Sequence, residues 1–506
     1  MDFFKKPPKN EQSPDTGFFH LDKIFELGKD TLIYGVANAS QGFVGLFLLP
    51  LYTRTFTPYE YGVIEVITII TALLTLISGL QIESGVSRYY YERDSNPEQV
   101  RLVSTGLFLR LLLILPLLLV LLPNAGSISF LFTGTESYSP ALCIAFITVP
   151  FSLLFTYFLL LLRLQKRPRT YAIIATGNFL FMAVSNIFLI LVIGAGITGI
   201  FISFLVSYGI FSLCALWFVQ DAVRRVFSSE EMRNILFYSI PVIPAVIASY
   251  FKGNLDKFLL IPLLGLAGLG LYSIGIRISS VLLLAVSAFN LAWTPFAMSL
   301  IRQKDHQQIY ANILLVFAFG MIFLSMVIAL FSKEIIHIMT PPGYWHASAI
   351  APILLLAAAI NGMFTIVGIG LNVVKKTYLI TVAFLAGLAC GILMLFLLVP
   401  QYGILGAGIA AFLSSVTGIF VEYRLAQKYY FIKYDVSKIA LFVVTNAFLV
   451  LLLYLADGWD ITGFTLGVKI VGLTVFSAIL VLIFGRADFL HGTAYMWNRV
   501  AGMVRK

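Results

Sequence analysis

The sequence predicts an all-α polytopic membrane protein of about 14 transmembrane helices: two six-helix lobes and two extra C-terminal helices. Three observations lead there. Hydrophobic residues make up 59% of the chain and charged residues 11%, with a mean hydropathy of +0.94, far from the balance of a water-soluble domain. Apolar runs recur along the whole chain, each long enough to cross the ~30 Å hydrocarbon core of a bilayer. The Lys and Arg residues behind the net charge of +10 are sorted between the loops on alternate sides of these runs.

Taken in order, the first 30 residues are polar and carry Lys5, Lys6 and Lys9. Within them, Phe18, Leu21, Ile24 and Phe25 oppose Asp22, Lys23, Glu26 and Lys29, the pattern of a helix lying on a membrane surface. No cleavable signal peptide is expected, and the first span should serve as the insertion signal. Spans are read at 31–53, 61–84, 102–123, 139–162, 171–193, 199–219, 236–261, 270–299, 311–332, 349–373, 378–399, 404–422, 439–456 and 463–484. Residues 487–506 suit a second surface helix, and no loop is long enough for a soluble domain. With a cytoplasmic N-terminus, 27 of the 34 Lys and Arg residues lie in the tails and even-numbered loops. Only Arg54 and Lys333 lie in the opposite loops. This positive-inside asymmetry predicts two cytoplasmic termini and makes the excess charge topological, with no nucleic-acid partner.

An internal repeat at a shift of about 205 residues organises the spans. Gly196-Ile197-Thr198-Gly199 opens the sixth span and Gly403-Ile404-Leu405-Gly406 the twelfth; Leu32-Ile33-Tyr34 parallels Leu236-Phe237-Tyr238; the basic loop Arg163–Arg169 falls opposite Lys375-Lys376. Six spans per unit give both copies one orientation, related by a pseudo-two-fold axis along the membrane normal, with a substrate path between them. The expected divisions are a tail at 1–30, an N-lobe at 31–219, a C-lobe at 220–438, spans 13 and 14 at 439–484, and a cytoplasmic tail at 485–506.

Charge inside the spans is the feature that points to function. A charged side chain at bilayer depth costs roughly 3 kcal/mol or more, so it usually faces a wet cavity with a task. Lys252, Lys257, Arg277 and Arg110 lie inside spans and are the candidate substrate-binding cations. Glu65, Asp256 and Glu83 are the candidates for coupling or charge balance, and Asn38, Gln41 and Asn361 for the polar lining. Polar residues recur every three or four positions on single helical faces, as in Glu65, Thr68, Ala72, Thr75, Gly79 and Glu83. Such stripes also serve helix packing, which does not require ammonium or guanidinium groups. Lys252 and Asp256, four apart, can pair along one face. Lys257 and Arg277 then leave a positive interior suited to an anionic headgroup such as a pyrophosphate, with guanidinium as a bidentate partner and Lys as a point charge. Asp256 is expected to compete for those cations, and Glu65, lacking a cation nearby in sequence, to be the group that takes up a proton. Pro241 and Pro244 should kink the seventh span.

No catalytic constellation, cofactor motif or metal site is legible. The five histidines lie in tails or loops without ligand spacing, and the glycines at 265, 268 and 270 precede no phosphate-loop Lys-Ser/Thr. Cys143, Cys214 and Cys390 sit singly in three spans and are read as unpaired.

Two stretches carry a resemblance. Leu48-Leu49-Pro50-Leu51-Tyr52-Thr53-Arg54 followed by Pro58-Tyr59-Glu60-Tyr61-Gly62, and Asn254-Leu255-Asp256-Lys257 followed by Gly270-Leu271-Tyr272, resemble the polysaccharide biosynthesis flippases. These are the Wzx-type transporters of the multidrug/oligosaccharidyl-lipid/polysaccharide exporter superfamily, and the resemblance covers essentially the whole chain. It implies a V-shaped pair of six-helix lobes with alternating access in the bacterial cytoplasmic (inner) membrane. The substrate would be an undecaprenyl-diphosphate-linked oligosaccharide repeat unit, moved for surface polysaccharide synthesis. Membrane lipids, the polysaccharide polymerase and the chain-length machinery would be partners. Lys257 stands where the family commonly has Arg, which keeps the charge and weakens any carry-over of bidentate contacts. Two alternatives of the same fold remain open: a lipid II flippase, expected to carry more arginines in the first two spans, and a multidrug or cation antiporter, expected to have an acidic cavity.

Overall fold

The computed structural model describes residues 45–93, 95–301 and 305–455 and a few single positions beyond. The tail helices expected at 18–30 and 487–506, most of the first and last spans, and the candidates Asn38 and Gln41 lie outside the described residues, as does the side chain of Lys252.

Among the described residues the protein is helical, and nine helices are long and apolar enough to cross a membrane. Helix α1 is short (Leu49–Thr55). Then come α2 (Pro58–Gly79), α3 (Ile82–Tyr90), α4 (Asn96–Leu121), α5 (Ala125–Thr133), α6 (Ser139–Leu164), α7 (Pro168–Ile187), α8 (Gly196–Val219) and α9 (Ser229–Ser239). A long α10 (Ile243–Leu300) is followed by α11 (His306–Leu330), α12 (Ser332–Met339) and α13 (Ala351–Gly362). Two short turns, α14 (Phe364–Val367) and α15 (Ile369–Val373), lead to the long α16 (Tyr378–Tyr429) and to α17 (Val436–Leu455).

Local chemistry sets the ends. The Thr57 hydroxyl accepts from the Glu60 N–H and the Glu60 carboxylate from the Thr57 N–H, so a capping box with Pro58 in the first turn starts α2. Pro241 lies in a single 3₁₀ turn, Ile240–Val242, and Pro244 in the first turn of α10. The expected kink is therefore a break between α9 and α10, where missing N–H donors cost little. The interior bends fall at glycines: Gly265 in α10 and Gly403 in α16 have φ of +69° and +55°. Each divides an overlong helix into two antiparallel-capable segments, because only glycine takes that conformation freely.

The backbone repeats itself at the turns the sequence paired. Gly196 and Gly403 both have positive φ, +56° and +55°. Lys166 and Lys375, non-glycine residues, share φ of +56° and +59°. Lys166 N–H donates to Arg163 O and Arg167 N–H to Leu162 O; Lys375 N–H donates to Asn372 O and Lys376 N–H to Leu371 O. The same two bonds close the same helix–helix turn in both halves.

Helices α2, α4, α6, α7 and α8 pack together, as do α10, α11, α13, α16 and α17, and the two sets meet along α2 and α10. Helix α9 packs on α3 and α4, tied by Ser239 Oγ donating to Gln81 O and by Arg93 against Glu231 at 2.8 Å. The chain thus stays with the first set to about Ser239, beyond the boundary expected at 219/220.

Candidate functional site

The seam between α2 and α10 is built on two glycines. A methyl group on Gly62 would lie 2.0 Å from the Leu266 carbonyl oxygen, and one on Gly270 would lie 2.1 Å from the Pro58 carbonyl oxygen. The two backbones therefore touch, as only glycine permits. The same end is tied by Tyr344 Oη donating to Phe56 O at 2.8 Å, Thr53 Oγ1 to Met339 O at 3.2 Å and Arg54 Nη2 to Ile338 O at 3.3 Å.

One turn beyond Gly62 comes Glu65, and two turns beyond Gly270 comes Arg277, so the glycine contact aims both at one point. Lys257 Nζ lies 3.3 Å from Glu65 Oε2 and Arg277 Nη2 3.4 Å from Glu65 Oε1. Glu65 is 6% exposed, whereas the Arg277 side chain keeps 34% of its surface open. Two cations on one carboxylate leave a formal charge of +1. The guanidinium rests against Gly45, where a methyl would lie 2.5 Å from Nη1. The buried Tyr61 hydroxyl stands beside Arg277.

This arrangement corrects two expectations. Glu65 has cations at hand, brought from the other half of the chain, and is not the isolated carboxylate. Asp256 does not compete for Lys257: it accepts from Tyr272 Oη at 2.6 Å and from the Lys257 backbone N–H at 2.9 Å. Adjacent positions on a helix point about 100° apart, so Lys257 faces α2 while Asp256 turns into the second half. There a cavity of about 500 Å³ is lined by Asp256, Tyr272, Ser249, Asn361, Thr365 and Ser415 among others. Asn361 is in that cavity, its Nδ2 donating to Ser415 Oγ at 2.8 Å.

Arg110 is also placed away from Lys257 and Arg277. It is 3% exposed, inside the first half. Its Nη2 bonds Glu83 Oε1 at 2.5 Å, its Nη1 donates to Leu153 O at 2.5 Å, and its guanidinium sits 5.1 Å over the Tyr157 ring. Arg110 and Glu83 thus neutralise each other, and a further in-span cation, Lys469, pairs with Glu334 at 2.6 Å. Sequence reading placed Thr68 and Thr75 on the polar stripe of Glu65 but gave no role to Tyr272 or to Thr71, which lines a first-half cavity together with those two threonines. The spacing of the threonines on the Glu65 face was the available signal. The three cysteines are free, and the described residues hold no group of His, Cys, Asp or Glu fit for a metal.

The helices, the central seam and the ion pairs within spans define a multi-pass membrane protein with the architecture of membrane transporters. It shares its fold with the lipid II flippase MurJ in its inward closed conformation, at a TM-score of 0.71 and 16% identity over 90% of this chain and 99% of that one. An inward-facing multidrug resistance MATE transporter matches at a TM-score of 0.58 and 14% identity, over 78% of this chain and 93% of that one. The family described as polysaccharide biosynthesis protein matches residues 27–300, and the chain belongs to it. Protein 1 of the Lsg locus of Haemophilus influenzae is 24% identical over 291 residues, 56% of this chain and 68% of that protein.

Proposed function

We propose that the protein is an alternating-access flippase that moves a lipid-linked oligosaccharide with a diphosphate headgroup across the bacterial inner membrane for surface polysaccharide synthesis. The observation that carries this reading is the pair of cations on Glu65. Lys257 and Arg277 stand at the seam, held by a carboxylate with one charge too few to satisfy both. A diphosphate entering there takes the Glu65 place, with guanidinium as a two-pronged donor and ammonium as a point charge. Glu65 is then the built-in competitor: it holds the cations in position before capture and reclaims them at release. Because Glu65 belongs to α2 and both cations to α10, exchange of the anion loosens or restores a bond between the two halves. Motion of the halves about this seam gives alternating access, with each ligand stabilising the arrangement it binds better.

The two halves are six-span units, the first carrying α9 packed against it, with both termini cytoplasmic on the charge distribution of the loops. On that topology the seam closed by Gly62 and Gly270 is at the outer face. Export of a finished repeat unit implies a polymerase downstream as a partner. The acidic cavity around Asp256 favours one second reading, export of an organic cation. A cationic drug displaced by protons, with no binding of polyprenyl diphosphate, decides for it.

The test is replacement of Arg277. In proteoliposomes, Arg277→Ala abolishes translocation of the native lipid-linked repeat unit at normal protein abundance, and Arg277→Lys retains part of it. Wild-type translocation by Arg277→Ala would refute the reading.

A further inference from the structure

The first half holds a second cavity, of about 490 Å³, within the size range of small-molecule sites. Thr68, Thr71 and Thr75 of α2 line one wall, and Thr148, Ser152 and Thr156 of α6 another. Every one of these hydroxyls has spent its single proton on its own helix. Thr68 donates to Ile64 O, Thr71 to Ile67 O and Thr75 to Thr71 O, at 2.7, 2.7 and 2.8 Å. Thr148 donates to Ile144 O, Ser152 to Val149 O and Thr156 to Leu153 O. What remains toward the cavity is oxygen lone pairs, since a hydroxyl has one donor and two acceptor positions; on Thr156 one of them is taken by Arg110 Nη1 at 3.3 Å. The Glu83 carboxylate, its side chain 37% exposed, adds acceptors, while Arg110 cancels its charge. The remaining lining pairs the aromatic rings of Phe201, Phe204 and Tyr208 with small aliphatic side chains such as Leu76 and Ala145 and with the Gln81 amide.

A wall of neutral acceptors opposite aromatic faces selects a ligand that is rich in hydroxyl donors, uncharged, and apolar on its ring faces. A lipid tail leaves the acceptors unused, and a cation gains little from a carboxylate already paired. We infer that this cavity is the glycan subsite: it binds the sugar residues of the lipid-linked oligosaccharide through their hydroxyl protons while the Lys257–Arg277 pair holds the diphosphate. This inference rests on the function proposed above. The two sites share one helix. From Glu65 to Thr75 is ten residues of α2, about 15 Å at the helical rise, so a chain of linked sugars leaving the diphosphate runs along the threonine ladder.

Two lipids and two variants test it. One lipid is the native lipid-linked repeat unit extracted from the source cell; the other is the same lipid stripped of its glycan, leaving polyprenyl diphosphate. Wild-type protein in detergent should bind the glycosylated lipid at least tenfold more tightly. Thr71→Val/Thr75→Val, which keeps volume and removes two acceptors, should weaken the glycosylated lipid by about tenfold or more and leave the bare lipid unchanged. Arg277→Ala should weaken both. An unchanged preference in the threonine variant overturns the glycan subsite, and so does an equal loss for both lipids. Wild-type protein that binds both lipids equally also overturns it while leaving the diphosphate reading intact. Wild-type protein that binds neither overturns both.

Discussion

Replacing Glu65 with glutamine keeps the shape of the seam and removes the charge that Lys257 and Arg277 share. At 3.3 and 3.4 Å, each ion pair has a gross Coulomb energy of about 5 kcal/mol at an effective dielectric of 20. Little of that survives as net stability, because the Arg277 side chain is one-third open to solvent and water replaces much of what Glu65 gives. The net competition that an incoming diphosphate must overcome is closer to that of one charge-assisted hydrogen bond, about 1.5–3 kcal/mol. Removing the competitor therefore tightens binding of polyprenyl diphosphate by roughly 10- to 100-fold. The same change slows turnover, since nothing reclaims the cations when the lipid must leave. Titration of purified Glu65→Gln with polyprenyl diphosphate, set beside proteoliposome translocation, reads both effects. Unchanged or weaker binding would show that Glu65 does not occupy the anion's place, and the exchange mechanism would fall with it.

Three further outcomes follow from the same geometry. Arg110→Met removes a buried guanidinium and leaves the Leu153 carbonyl and the part-exposed Glu83 without their donor, which should cost about 1–3 kcal/mol of stability; a lower unfolding temperature with unchanged affinity for polyprenyl diphosphate is expected, and a selective loss of affinity would return Arg110 to the binding site. Gly62→Ala sets a methyl 2.0 Å from the Leu266 carbonyl oxygen and should destabilise the closed seam by roughly 1–3 kcal/mol, read as faster labelling of a cysteine introduced at Leu266; labelling at the wild-type rate would refute the close contact. Asp256, bonded to a phenol rather than to Lys257, can take up a proton without breaking the seam ion pairs, so Asp256→Asn should lose the response of transport to an imposed pH gradient while Glu65→Gln keeps it; the reverse result would restore Glu65 as the coupling group.

Much was legible in the chain because bilayer physics writes itself into composition. Apolar runs of membrane length, positive loops on one side and glycines at repeated turns are local features, each governed by a few adjacent residues. Gly196 and Gly403 show this well: the sequence paired them, and both take the same left-handed backbone. The in-span charges were equally visible as rare residues at costly positions. Their partners were not. Glu65 and Arg277 are 212 positions apart, and they meet because Gly62 and Gly270 let two backbones touch, a contact no spacing along one helix encodes. For the same reason Arg110 went to Glu83 and Asp256 to Tyr272. The sequence by itself determined that cations stand inside this membrane protein. Only tertiary structure decided which carboxylate answers each, because a low-dielectric interior fixes ion pairs by distance in space.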